Sequence, residues 1–272
     1  YTSSLTFTNT NNSADTEEVT VSVGPDNFTV ALPDGAFLEM RWVPAGKFMM
    51  GRYSGEQDSE SNEEPRHEVT LSQGFWMGKY ELTKAQWTSV MGTEPWSGPG
   101  YVLDDPDSPA VYVGWDDVRS FIRQLNNLTD LAFRLPTEAE WEYACRAGTT
   151  GRFYWGDDSS YASIGGYAWW KDNAHDIEEY YAHIVGAKTK NSFGLYDMSG
   201  NVWEFCQDYY ATYPSDGAAV TDPTGPSTGS TRVIRGGGWG SEAKDCRSAR
   251  RMRASELSTD INMSYRGFRL AR

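Results

Sequence analysis

From residue 148 to residue 272 no stretch sustains the repeat of an amphipathic helix or of a half-buried strand. A chain that spends its second half in loops, short strands and turns cannot be a helical bundle, a solenoid or a doubly wound sheet. It must close its core with side chains large enough to pack from irregular backbone. The composition supplies them: 11 Trp, 16 Tyr and 11 Phe stand beside 27 Gly and 12 Pro in 272 residues. The length suits one α+β domain with long loops and a sizeable core.

Regular elements are expected mainly in the first half. Short β-type runs at 5–8, 19–23 and 28–32 are split by polar and Gly-Pro clusters and read as strands of an N-terminal β-rich extension, 1–36. Strands follow at 40–44, 46–51 and 69–71, with 54–66 an exposed polar loop between them. Three helices are predicted. Thr83 with Gln86 three residues on opens one that ends near Met91. The second covers 113–128, where Val118, Phe121, Ile122 and Leu125 share a stripe. Thr137 with Glu140 caps the third over 138–146. Segments 232–235 and 265–270 are expected to be strands that pair with each other.

The net charge of -14 argues against nucleic acid or an anionic membrane as the main partner. The tail is different: from Arg235 onward there are nine basic residues against four acidic ones. Arginines in that setting are read as holding loops through hydrogen bonds. Cys145, Cys206 and Cys246 show no zinc-like spacing and are expected to be packed thiols. No apolar run is long enough to span a membrane. The Thr/Ser/Asn-rich opening from Tyr1 suggests an exported protein, with any lipid anchor lying upstream of Tyr1.

Six stretches occur in order: Trp42-Val-Pro-Ala-Gly-Lys-Phe-Met-Met-Gly51, Tyr80-Glu-Leu-Thr83, Arg134-Leu-Pro-Thr-Glu-Ala-Glu-Trp-Glu-Tyr-Ala144, Gly194-Leu-Tyr-Asp-Met-Ser-Gly-Asn-Val-Trp-Glu204, Arg235-Gly-Gly-Gly-Trp239 and Arg266-Gly-Phe-Arg-Leu270. On these the chain resembles the formylglycine-generating-enzyme, or sulfatase-modifying-factor, family over 37–272. The resemblance implies a C-type-lectin-like α+β fold with long irregular loops.

It also implies where chemistry would sit. Family enzymes hold copper with a cysteine pair separated by four residues just after the glycine-rich motif. The corresponding positions here are Ser241 and Cys246. A hydroxyl is a poor Cu(I) ligand and cannot exchange disulfides, so no catalytic cofactor is expected and catalysis should be absent. Three histidines, His67, His175 and His183, lack the spacing of a non-haem iron site, and no nucleophile elbow is present. The family's calcium pattern matches Asp197, Gly200, Val202 and Glu204, implying a structural calcium ion. Its other calcium loop is matched only at Asn173 and Ala174.

The segment 238–265 mixes charge, aromatics and flexible apolar groups without periodicity. Trp239, Ser241, Glu242, Lys244, Asp245, Arg250, Met252, Arg253, Ser255, Met263 and Tyr265 are its candidate ligand-binding residues. The arrangement looks like the variable proteins of diversity-generating retroelements, displayed on bacterial or phage surfaces. The expected function is a monomeric, non-catalytic binder of a protein or other surface ligand at the cell surface. The alternatives are a copper-dependent cysteine-oxidising enzyme and a subunit of some enzyme complex.

Overall fold

A computed structural model describes residues 3–8, 18–23, 27–255 and 261–272. Its regular elements form three sheets and three helices. The first sheet has the order β1-β2-β3-β4-β7, where β1 is Ser3–Thr8, β2 Glu18–Val23, β3 Asn27–Ala31, β4 Phe37–Val43 and β7 Phe75–Gly78, all antiparallel. Alternation fixes its register: Phe28 and Val30 of β3, with Leu38 and Met40 of β4, all face the main core. A three-stranded sheet joins β5 (Gly46–Met50), β6 (His67–Leu71) and β9 (Val220–Thr221). The third sheet has the order β11-β10-β8-β12, built from β8 (Trp203–Tyr209), β10 (Thr231–Arg235), β11 (Arg251–Ser255) and β12 (Arg266–Gly267).

The helices obey their caps. In α1 (Lys84–Met91) and α3 (Glu138–Arg146), Thr83 and Thr137 accept from the N3 amide while Gln86 and Glu140 reach back to the cap's own N–H. Helix α2 (Trp115–Thr129) begins at Gly114, whose N–H donates to Asp117 at 2.8 Å. Trp87 of α1 stacks on Phe121 of α2 at 5.3 Å between centroids, and Phe268 meets both rings edge-on. This aromatic joint fills the main core between the first sheet and the third. Helix α3 lies over the third sheet, with Trp141 fully buried and its indole N–H donating to Glu204 at 2.9 Å.

Three expectations fail. The strand near the C-terminus does not pair with β10; it runs parallel to β8, which lies between them. The 238–265 segment is not free of regular structure, because β11 pairs along the whole of β10. The 54–66 loop is not simply exposed: Glu56 and Glu63 are buried. Arg247 explains that burial, with Nη1 2.7 Å from Glu56 and Nη2 2.7 Å from Glu63.

Candidate ligand-binding site

The turn leaving β10 carries the site. Gly237 has φ +84°, and a Cβ there would lie 2.9 Å from the Cys246 sulfur, so only glycine lets the turn close over that thiol. The turn then delivers Trp239 and Ser241. The Ser241 hydroxyl accepts from the Gly238 N–H at 2.9 Å and from the Trp203 indole N–H at 3.1 Å. It is a structural acceptor, with no histidine among its hydrogen-bond partners. Cys246 is fully buried, and burial together with the Asp245 carboxylate pushes its thiol far up. Cys145 and Cys206 are also free and buried; burial raises the Cys145 thiol to about 11. All three thiols therefore stay protonated near neutral pH.

The expectation that the eleven mosaic residues form one exposed surface needs correction. Trp239, Arg250 and Met263 are buried, at 6%, 9% and 7% exposure. Trp239 is held by an indole hydrogen bond to the Ser264 carbonyl, and Arg250 pairs with Asp245 at 2.9 Å. Ser241, Asp245 and Tyr265 are half-buried; Glu242, Lys244, Met252, Arg253 and Ser255 are exposed. Two groups result. Met252, Arg253 and Ser255 lie on the edge strand β11. Trp239, Ser241, Glu242 and Tyr265 gather at the other group, where the Lys171 ammonium meets Glu242 at 2.8 Å.

Residues from distant segments complete that second group, and the sequence reading missed them. The His175 ring lies parallel to Trp239 at 6.2 Å, and Tyr101 and Tyr180 approach it at 6.4 and 6.5 Å. Tyr101 is 58% exposed and has φ +62°, held out by the turn after Gly100. The available signal was the Gly98-Pro-Gly-Tyr101 run, a loop that presents a tyrosine. The cluster offers aromatic faces and a matched charge pair around a fixed tryptophan, which is recognition chemistry.

Of the four calcium-pattern residues, Gly200 is tied to the turn by its N–H donating to the Gly236 carbonyl at 2.8 Å. Glu204 is closed by Arg269, with Nε and Nη2 at 2.6 and 2.7 Å, in addition to Trp141. Asp197 accepts from the Gly186 N–H at 2.7 Å through Oδ2, while its buried Oδ1 has no partner. Burial raises the Asp197 carboxyl to about 6, and burial with the nearby Asp197 and Glu204 carboxylates pushes Glu81 well above the ordinary carboxyl range. That acidic excess suits a cation at Asp197; Glu204 already has one in Arg269. Among the described residues no three His, Cys, Asp or Glu side chains form a metal cluster. Asn173 is occupied at both ends, by Trp170 N–H at 2.8 Å and by the Ala168 carbonyl at 2.9 Å.

The fold and the glycine-rich turn define a class: a sulfatase-modifying-factor scaffold. The sulfatase-modifying factor enzyme 1-like domain matches residues 30–272, and the chain belongs to that family. It is 33% identical to the formylglycine-generating enzyme of Thermomonospora curvata over 84% of this chain and 91% of that one. Identity to the Streptomyces coelicolor formylglycine-generating enzyme is 35% over 68% of this chain, spanning 60% of that protein's length. Among solved structures, Treponema denticola variable protein 1 superposes with a TM-score of 0.77 at 27% identity, covering 91% of this chain and 99% of that one. Among the described residues no helix is long and apolar enough to cross a membrane.

Proposed function

We propose that this chain is a non-catalytic binding protein, a variable protein of the retroelement type, exported and displayed at a bacterial cell surface. The observation that carries the reading is Ser241. A hydroxyl stands where the family's chemistry needs sulfur, and it is engaged by Gly238 and Trp203. The remaining thiol, Cys246, is fully buried and stands alone, so one of the two sulfurs of a linear thiolate site for Cu(I) is missing. The likeness to Treponema denticola variable protein 1 supports the same reading.

Recognition then falls to the face around Trp239, with Tyr101, Tyr180 and Tyr265 as its accessible aromatics. Two measurements test this. Oxygen uptake with a cysteine-containing peptide and copper should stay at the protein-free rate; copper-dependent uptake would restore the enzymatic reading. Natural copies of the chain should differ at Glu242, Lys244, Met252, Arg253, Ser255 and Tyr265 while keeping Ser241 and the buried Trp239, Arg250 and Met263. Differences spread evenly along the chain would remove the diversified-binder reading.

The same reading places a structural calcium ion at Asp197 with the Gly200 and Val202 backbone, supported by the unpartnered Oδ1. Millimolar calcium should raise the melting temperature relative to EDTA. Identical melting curves would remove the ion.

A further inference from the structure

The start of β10 borders a second site, set apart from the glycine-rich turn at the strand's other end. A groove of about 850 Å³ runs between α2, the 133–135 segment, Gln207 and Tyr209 of β8 and the 224–227 turn. Arg119, Arg123, Arg134 and Arg232 line it, and no carboxylate does, in a chain whose net charge is -14. The large groove beside α1 is the reverse, lined by Asp34, Glu39, Glu94, Asp104, Asp105 and Asp107 with Lys84 as its one cation. Charge on this molecule is segregated by groove, and a cleft of one sign concentrates counter-ions of the other.

The four arginines differ in what they can offer. Arg134 is matched by Glu140 at 2.6 and 2.7 Å. Arg232 is fixed over the Trp115 and Tyr209 rings, 4.1 and 3.4 Å from their centroids. Arg119 and Arg123 stand one helical turn apart on the exposed wall; the Arg119 side chain is 67% exposed, with only Asp116 beside it at 3.8 Å. Trp115, 5% exposed, also lines the groove and carries the Arg232 guanidinium over its ring. Two solvent-facing guanidinium forks one turn apart, with Arg232 fixed beside them and no carboxylate in the lining, suit an anionic ligand.

The rest of the lining sets the ligand's class. Asn127, Gln207, Thr224 and Ser227 are exposed amides and hydroxyls. Among the described residues none of the exposed large hydrophobic side chains lies in this groove, so it lacks the apolar anchor that a peptide interface is built on. We propose that this groove binds an acidic oligosaccharide, with Arg119 and Arg123 gripping its sulfate or carboxylate groups and the amides and hydroxyls meeting its ring hydroxyls.

Calorimetry on the full chain at low salt tests the proposal with four probes: a heparin-derived tetrasaccharide, trigalacturonate, maltotetraose and hexaglutamate. One of the two acidic saccharides should bind, and binding should weaken about tenfold or more in the double variant Arg119→Glu/Arg123→Glu. Both side chains are exposed, so the variant should keep the wild-type circular dichroism and melting curve. Lys47→Glu, on a different sheet, should leave affinity unchanged. The proposal is overturned if neither acidic saccharide binds, if maltotetraose or hexaglutamate binds as tightly, or if the double variant binds like wild type. None of these outcomes bears on Ser241 or on the Trp239 face.

Discussion

Arg235, Arg247, Arg251 and Arg269 are each no more than 1% exposed, and each is clasped by a carboxylate far away in sequence. A buried guanidinium group needs carboxylate partners to offset its lost hydration, and breaking such a pair from one side leaves an uncompensated charge. Arg247→Met should therefore destabilise the protein by about 3–5 kcal/mol, because Glu56 and Glu63 would remain buried together. Adding Glu56→Gln and Glu63→Gln should recover part of that loss in urea titrations; no recovery would mean that Arg247 acts by packing alone. The reading of tail arginines as loop-holders was available from composition. Their partners were not, since Glu63 and Arg247 lie 184 residues apart. Asp208 gives a second test at this scale. Burial, then the Glu138 carboxylate, raises its carboxyl to about 7, although its Oδ2 accepts the Glu138 N–H at 2.8 Å. A raised folded-state value means that the folded form holds the proton more tightly. The stabilisation is complete below pH 4 and is lost as pH rises through 7. Asp208→Asn should flatten the stability profile between pH 4 and 7 by up to about 1.4 kcal/mol per pH unit. An unchanged slope would assign the pH dependence to other groups.

Among elements, those written by local chemistry could be read in advance and those written by tertiary packing could not. The Thr83 and Thr137 capping boxes involve residues three apart, so a short window contains the whole signal. Thr137→Ala should cost about 1 kcal/mol, a loss of about 2–4 °C in melting temperature for a chain of this size. Thr137→Ser should restore it; a defect as large for serine would point to the threonine methyl rather than the cap. Strand β8 escaped notice because the six residues Trp203–Asp208 are buried except Gln207, which removes the alternation that betrays a strand. Strand β12 is two residues long and parallel to β8, too short to show a period. Strand β11 has two consecutive exposed residues, Met252 and Arg253, so its pattern breaks in the middle. The candidate face was half-legible for the same reason. Trp239 and Tyr265 belong to the local segment, whereas Tyr101, His175 and Tyr180 arrive from loops that only the folded chain brings beside them.

At the scale of the whole molecule, two kinds of electrostatics act in opposite directions and salt separates them. The net charge of -14 repels itself across the surface, most strongly along the acidic groove beside α1, and screening at about 0.2 M salt shortens that repulsion to within about 7 Å of each charge. Exposed pairs such as Lys47–Glu68 lose their attraction on screening too, but each is worth at most about 1 kcal/mol. The Arg235, Arg247, Arg251 and Arg269 pairs lie beneath the surface, where mobile ions do not reach them. The repulsive term is the larger one that salt can touch. Raising NaCl from about 10 to 200 mM, with EDTA present so that divalent ions at Asp197 play no part, should raise the melting temperature by a few degrees. A fall over the same range would mean that the exposed pairs outweigh the global repulsion. In that case the surface acids would hold this loop-rich fold together, and neutralising those along the α1 groove would weaken it where the self-repulsion account requires a gain.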